Sequence, residues 1–292
     1  MQPLTLLLLA ATASAQSLAS VLTNPAVSEL AAVLSAYPAI VKTLSGAKDI
    51  TILAPANGAR GLRQLAGAAK YEKYAPGLTE ATLTYHVLKG AIPASAVPAN
   101  AFVETLLTNG NYSAVTGGQR VQATKKDGKV VFISGGGAKS TVTAADIKFD
   151  GGVIHLIDAV LQPPQAPSIV ARAGGLTTLA STLASQGLAK TVDGLKGITI
   201  FAPTNAAFDA ASGLIETLSK EQLAGALTYH VVKAVAYSTD VKDGLEVPTV
   251  QGKTLKITVK GGSVYVNKAK VIKTDILTKN GVVHVIDGVL TP

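Results

Sequence analysis

The chain has no cysteine and no tryptophan, and only 13 of its 292 residues are aromatic. Without cysteine there is no disulfide, no thiolate metal site and no cysteine nucleophile, so stability has to come from core packing. Histidine is scarce too, with four residues at positions 86, 155, 230 and 284. None belongs to a His-Glu-x-x-His pattern, and no Gly-x-Ser-x-Gly elbow occurs. The usual signatures of zinc and serine hydrolases are therefore missing, and no metal or cofactor is expected. The net charge of +8 divides evenly, with 13 basic and 9 acidic residues before Pro164 and the same numbers from there on. An even, modest excess with few aromatics argues against nucleic acid as a partner. No apolar run is long enough to span a bilayer, and no lipid-anchor signal is read after the last apolar run. What remains is a chain that is 48% hydrophobic and 15% charged, a balance that suits folded domains.

Leu4 to Ala11 is an apolar run followed by Ala13-Ser14-Ala15. That pattern reads as a secretory signal peptide over residues 1–15, cut after Ala15 to leave Gln16. No Lys or Arg precedes the run, so its only positive charge is the terminal amine. An exported protein is expected.

The rest of the chain repeats itself. Gly152-Val-Ile-His-Leu-Ile-Asp-Ala-Val-Leu161 returns as Gly281-Val-Val-His-Val-Ile-Asp-Gly-Val-Leu290, 129 residues later. Thr51-Ile-Leu-Ala-Pro-Ala-Asn57 returns as Thr199-Ile-Phe-Ala-Pro-Thr-Asn205, and Leu83-Thr-Tyr-His-Val-Leu-Lys89 as Leu227-Thr-Tyr-His-Val-Val-Lys233. Such self-similarity means two copies of one domain. The offset falls from 148 through 144 and 134 to 129, so the first copy carries insertions of 4, 10 and 5 residues. Pro163-Pro-Gln-Ala-Pro167 reads as an extended connection. It places the domains at 16–163 and 164–292.

Each copy begins with helical spacing and ends in strands. Leu176, Leu179 and Leu183 share a helix face that Gly187 is placed to end, and Leu30, Val33 and Leu34 do the same earlier. Ile198 to Ala202 reads as a strand stopped by Pro203, after which Thr204 caps a helix with Phe208 inward. Ser219 and Gln222 have capping-box spacing for a helix running to about His230. Leu255, Ile257 and Val259 alternate with Lys256, Thr258 and Lys260, a half-buried strand with lysines outward. Gly261-Gly262 and Asp127-Gly128 mark hairpins. Helices first and antiparallel strands after make an α+β domain.

Three blocks, Thr199 to Phe208, Tyr229-His230 and Asn280 to Leu290, resemble the fasciclin-like domain family in the right order, and the resemblance covers nearly all of the chain beyond residue 15 as two tandem domains. It implies a wedge of two β-sheets with helices packed beside it. It also implies an extracellular role in adhesion or in matrix or wall organisation, and no enzymatic activity. The first domain departs from the pattern, with Ala56, Arg60 and Gly61 where the second has Thr204, Phe208 and Asp209. A lost threonine cap costs about 1 kcal/mol unless Asn57 takes over. A lost buried Phe costs ~3 kcal/mol unless another side chain fills the space.

The four histidines lie in apolar runs at matching positions, which reads as buried neutral rings bonded to backbone. Asp158 and Asp287 follow a histidine by three residues on a strand, so they face away from it and form no triad. By the resemblance, adhesion candidates are Tyr229, His230, Asp275 and Ile276, with Tyr85, His86, Asp146 and Ile147 in the first domain. Pro203, Thr204, Asn205, Phe208, His155 and His284 read as structural. Asn111 heads the one glycosylation sequon, Asn-Tyr-Ser, inside the ten-residue insertion, and is expected on the surface. Lys242 to Lys279 holds eight lysines against Asp243, Glu246 and Asp275, so an acidic glycan, protein or surface suits that segment.

Three functions remain open at this point: an adhesion or matrix-binding protein, a carrier of an apolar small molecule, and a secreted hydrolase. The first agrees best with export, tandem domains and the lack of a catalytic set, with an extracellular protein or polysaccharide as partner. The second domain, with its intact cap and lysine face, is expected to carry more of the binding than the first.

Overall fold

The computed structural model describes residues 16–68, 73 and 75–292. The signal-peptide reading at 1–15 lies outside the described residues. Fourteen strands are described: β1 (Ile50–Arg60), β2 (Val87–Lys89), β3 (Asn100–Glu104), β4 (Arg120–Lys126), β5 (Lys129–Ile133), β6 (Lys139–Phe149), β7 (Gly152–Ala159), β8 (Ile198–Pro203), β9 (Val231–Val232), β10 (Glu246–Pro248), β11 (Thr254–Lys260), β12 (Ser263–Val266), β13 (Ala269–Thr278) and β14 (Gly281–Ile286).

They form two seven-stranded sheets of one topology, β2-β1-β7-β6-β5-β4-β3 and β9-β8-β14-β13-β12-β11-β10. In each, the long sixth strand is broken by bulges, between Val142 and Ile147 and between Val271 and Ile276. Bulges bend a strand and increase its twist. The sheet therefore folds over until its ends meet, through bridges Leu88↔Thr105 and Val232↔Thr249. The wedge of two sheets implied by the family resemblance is thus one nearly closed sheet per domain.

The anchoring repeat lies at the middle of each sheet. β14 pairs in parallel with β8 and antiparallel with β13, and every residue from Gly281 to Ile286 is buried. Glycine is required at its start: Gly281 has φ 154°, and a Cβ there would lie 1.8 Å from the Ile198 carbonyl oxygen. Gly152 is held the same way, 2.0 Å from the oxygen of Ile50. Helices cover one side of each sheet. Leu30, Val33 and Leu34 on the Ser28–Ser35 helix pack onto Ile52 and Ile154, and Leu179 and Leu183 on Thr177–Ser185 pack onto Ile200 and Val283.

Local signals hold in the second domain. Thr204 Oγ1 accepts the N–H of Ala207, Phe208 is buried, and Ser219 and Gln222 form the reciprocal capping box. The first domain differs from expectation. No helix starts after Pro55; β1 runs on to Arg60, Gly61 turns the chain with φ 86°, and the helix is delayed to Leu62–Gly67. Asn57 does not take over as its cap. Its Oδ1 accepts the N–H of Glu29, as Asn205 accepts that of Thr178, so both asparagines tie a strand end to a helix start. Leu62, 1% exposed in the helix-side core, supplies the buried apolar side chain that Phe208 gives the second domain.

The ten-residue insertion also differs. Asn111 is exposed as expected, but Leu107 and Gln119 are fully buried. The insertion joins the two domains. Gln119 Nε2 donates to the carbonyls of Thr278 and Lys279, both at 3.1 Å; Ala114 N–H donates to Lys279 O at 2.8 Å, and Gly197 N–H to Ala114 O at 3.0 Å. Beside these bonds Phe102 stacks on Tyr237 with centroids 4.1 Å apart, and the Arg120 guanidinium lies 5.4 Å from the Tyr237 ring centre. Residues 160–166 connect the domains without helix or strand. They are pinned where Lys279 donates to Gln165 O and Gly135 to Gln162 O, both at 2.8 Å.

Candidate functional site

The histidines are the obvious place to seek chemistry, and each has both ring nitrogens occupied by backbone. His86 donates from Nδ1 to Thr82 O at 2.7 Å and accepts the N–H of Leu161 at Nε2, 2.9 Å. His230 repeats this with Ala226 O and Leu290 N at the same distances. His155 and His284 use the opposite tautomer. Their Nδ1 atoms accept the N–H of Asp146 and Asp275, and their Nε2–H groups donate to Ile92 O and Ala236 O. A ring that accepts at one nitrogen and donates at the other is neutral. Burial reinforces that state, pushing His86 and His230 down to about 4 and lowering His284 as well.

Tyr85 and Tyr229 end the helices Leu78–Tyr85 and Lys220–Tyr229 and are buried, with hydroxyls donating to Arg120 O and Thr254 O. Asp275 is 9% exposed and lies in a bulge within β13. Its φ of 63° is shared by Asp146 at 61°. That left-handed conformation suits Asp better than most side chains. It aims the backbone N–H at His284 while the carboxylate accepts the N–H of Ser238 at 2.8 Å. Asp146 does the same with His155 and Ala94, although it is exposed. Ile147 and Ile276 are half-buried against the helix-side cores. Asp146 and Asp275 are thus tied to His155 and His284, whereas His86 and His230 are tied to Leu161 and Leu290. Asp158 and Asp287 face away from the rings and accept backbone N–H groups of Thr141 and Lys270.

Inside the second sheet an apolar cleft of about 480 Å³, counting its open mouth, is lined by Phe201, Val232, Ala236, Leu245, Ile257 and His284, among others. Its counterpart in the first domain is about 290 Å³. Ile92 stands there in place of Ala236 and fills part of the space. Two further features have no local sequence signal: the Phe102–Tyr237 stack, and the ion pairs of Glu104 with Lys89 at 3.2 Å and Arg120 at 3.0 Å. They join residues far apart in the chain.

The fasciclin-domain family model matches residues 25–163 and 174–292, once on each sheet with its helices. The chain belongs to the fasciclin-domain family. Among the relatives, the fasciclin-like arabinogalactan protein of Arthroderma benhamiae is 33% identical over 92% of this chain and 64% of its own length. The fasciclin-like arabinogalactan protein elcF of Phaeosphaeria nodorum is 32% identical over 97% of this chain and 91% of its own length. The transforming growth factor-beta-induced protein ig-h3 of Sus scrofa is 33% identical over 52% of this chain and 23% of its own. The chain thus spans just under two thirds of the first of these relatives.

Proposed function

We propose that this chain is a secreted, non-enzymatic binding protein of the extracellular matrix or cell wall. The observation that carries the reading is the occupancy of all eight histidine ring nitrogens by backbone bonds. A general base or metal ligand needs a free nitrogen aimed at a substrate or ion. Family membership and relatives named as arabinogalactan proteins support the same conclusion. On this reading residues 1–15 are removed on export, the domains are 16–163 and 164–292, and Asn111 is glycosylated in a host with the pathway. Tyr229, His230 and Asp275 then set the shape of the surface from beneath it, and the exposed Asp146 with Ile147 is the more accessible copy of the adhesion candidates. Retention of full-length protein on wall polysaccharide, matrix proteins or whole cells tests the proposal. No retention on any of them would remove its basis.

A second reading has one observation in its favour, the apolar cleft of the second domain. A carrier would yield an extractable ligand or an absorbance band when purified from its native source, and Ala236→Ile, which copies the first domain, would abolish it.

A further inference from the structure

We propose that the outer face of β11, β12 and β13 in the second domain binds an anionic polysaccharide. This rests on the extracellular-binding reading above and names the class of partner.

The repeat shows which face is left free. In the first domain, Phe102 and Gln122, and Glu104 and Arg120, are cross-strand pairs of β3 and β4, and Phe102 and Arg120 meet the second domain at Tyr237. The second domain has Glu246, Pro248, Thr254 and Lys256 at the matching positions of β10 and β11, in the same cross-strand pairs. All four are exposed. Glu246 stands where the first domain has Phe102 and Thr254 where it has Arg120, so the stacking that joins the two domains cannot be repeated there.

The charge is available. Lys256 and Lys260 project from β11 and Lys270 from β13, and all three are exposed. Two residues apart on a strand is about 7 Å, so Lys256 and Lys260 stand about 14 Å from each other. The ion pairs among the described residues are those of Glu104 with Lys89 and Arg120, so none of these three lysines is in an ion pair. The nearby carboxylates are engaged or few. Asp243 accepts the N–H of Val259 at 2.8 Å, Asp287 accepts that of Lys270 at 2.7 Å, and Glu246 stands opposite Lys256.

Between the lysines, Thr258, Tyr265 and Lys270 form one row across three strands. Tyr265 is half-exposed on the row. An aromatic ring for a sugar face, threonine hydroxyls for sugar hydroxyls and lysines for acidic groups suit a charged glycan. A protein interface is depleted in lysine and built around apolar anchors, and a membrane site needs apolar residues to insert. The one large exposed apolar residue on these three strands is Ile272.

The test uses the full chain against dextran sulfate, carboxymethyl dextran, unmodified dextran and phosphatidylserine vesicles. Binding to both charged dextrans and not to dextran, weakening with salt, is the expected result. The triple substitution Lys256→Gln, Lys260→Gln, Lys270→Gln should weaken binding about tenfold at low salt and flatten the salt dependence. An equal charge change on the first domain, Lys126→Gln, Lys129→Gln, Lys148→Gln, should leave it within about twofold. Thermal melting confirms that each variant is folded. Equal losses in the two triple variants, equal binding to uncharged dextran, or binding to vesicles alone would overturn the proposal. If no charged dextran binds while the chain is still retained on wall or matrix, this face fails and the wider reading stands.

Discussion

The backbone N–H of Asp275 donates to Nδ1 of His284 at 3.2 Å, and Asp146 makes the same bond to His155 at 3.1 Å. The aspartate holds a left-handed conformation to make it, and the other ring nitrogen grips a loop carbonyl. Two family-typical residues are thereby joined in one strand-to-loop knot. Asp275→Ala strains the backbone at φ 63° and leaves the Ser238 N–H unpaired. It should cost about 2 kcal/mol in denaturant unfolding. A pure contact role for Asp275 would instead lower binding and leave unfolding unchanged.

Acid should destabilise the fold through His86 and His230. Burial holds both at about 4, below the ordinary value of 6.5. Between these values the unfolded chain takes up protons that the folded one refuses. The stabilisation is therefore complete above pH 6.5 and lost as pH falls toward 4, by at most ~3 kcal/mol per ring. Denaturant midpoints from pH 7.5 down to 5, where most carboxylates stay ionised, should fall steadily. A flat profile in that window would contradict the assignment.

Much of the second domain is legible in the sequence because its signals are local. The threonine cap at 204, the capping box at 219 and the Gly261-Gly262 turn each lie within a few residues of what they control. The first domain is less legible at Ala56, where loss of the cap lets β1 continue as strand until Gly61. The ten-residue insertion between Leu107 and Val121 looks like a surface loop in sequence. Its partners across the domain boundary are Thr278 and Lys279, about 160 residues away, and spacing cannot reveal them. Likewise the residue types at Tyr229, His230 and Asp275 were readable, but their burial depends on the whole sheet closing.

The two domains should unfold together. Tyr237→Ala removes the ring that Phe102 and Arg120 pack against. It should cost ~3 kcal/mol or more and separate one calorimetric transition into two. Tyr237→Phe keeps the stack and deletes a buried hydroxyl with no partner among the described residues, so it should be neutral or slightly stabilising. A single unchanged transition in Tyr237→Ala would show that the domains are not coupled there.

Asn111 is exposed, and its sequon lies in a turn where Asn109 Oδ1 accepts the Asn111 N–H at 2.9 Å. Protein secreted from a glycosylating host should lose one glycan mass in Asn111→Gln and begin at Gln16. An unchanged mass, or an intact Met1, would refute the corresponding reading.

Binding through the outer face of the second domain is tested most directly by hydrogen–deuterium exchange of the full chain, free and with dextran sulfate. Protection should appear in segments 246–272, while the amides of Leu161, Leu290, Asp146 and Asp275 that bond the histidines stay slow in both states. Protection confined to the first domain, or a change centred on the histidine-bonded amides, would contradict it.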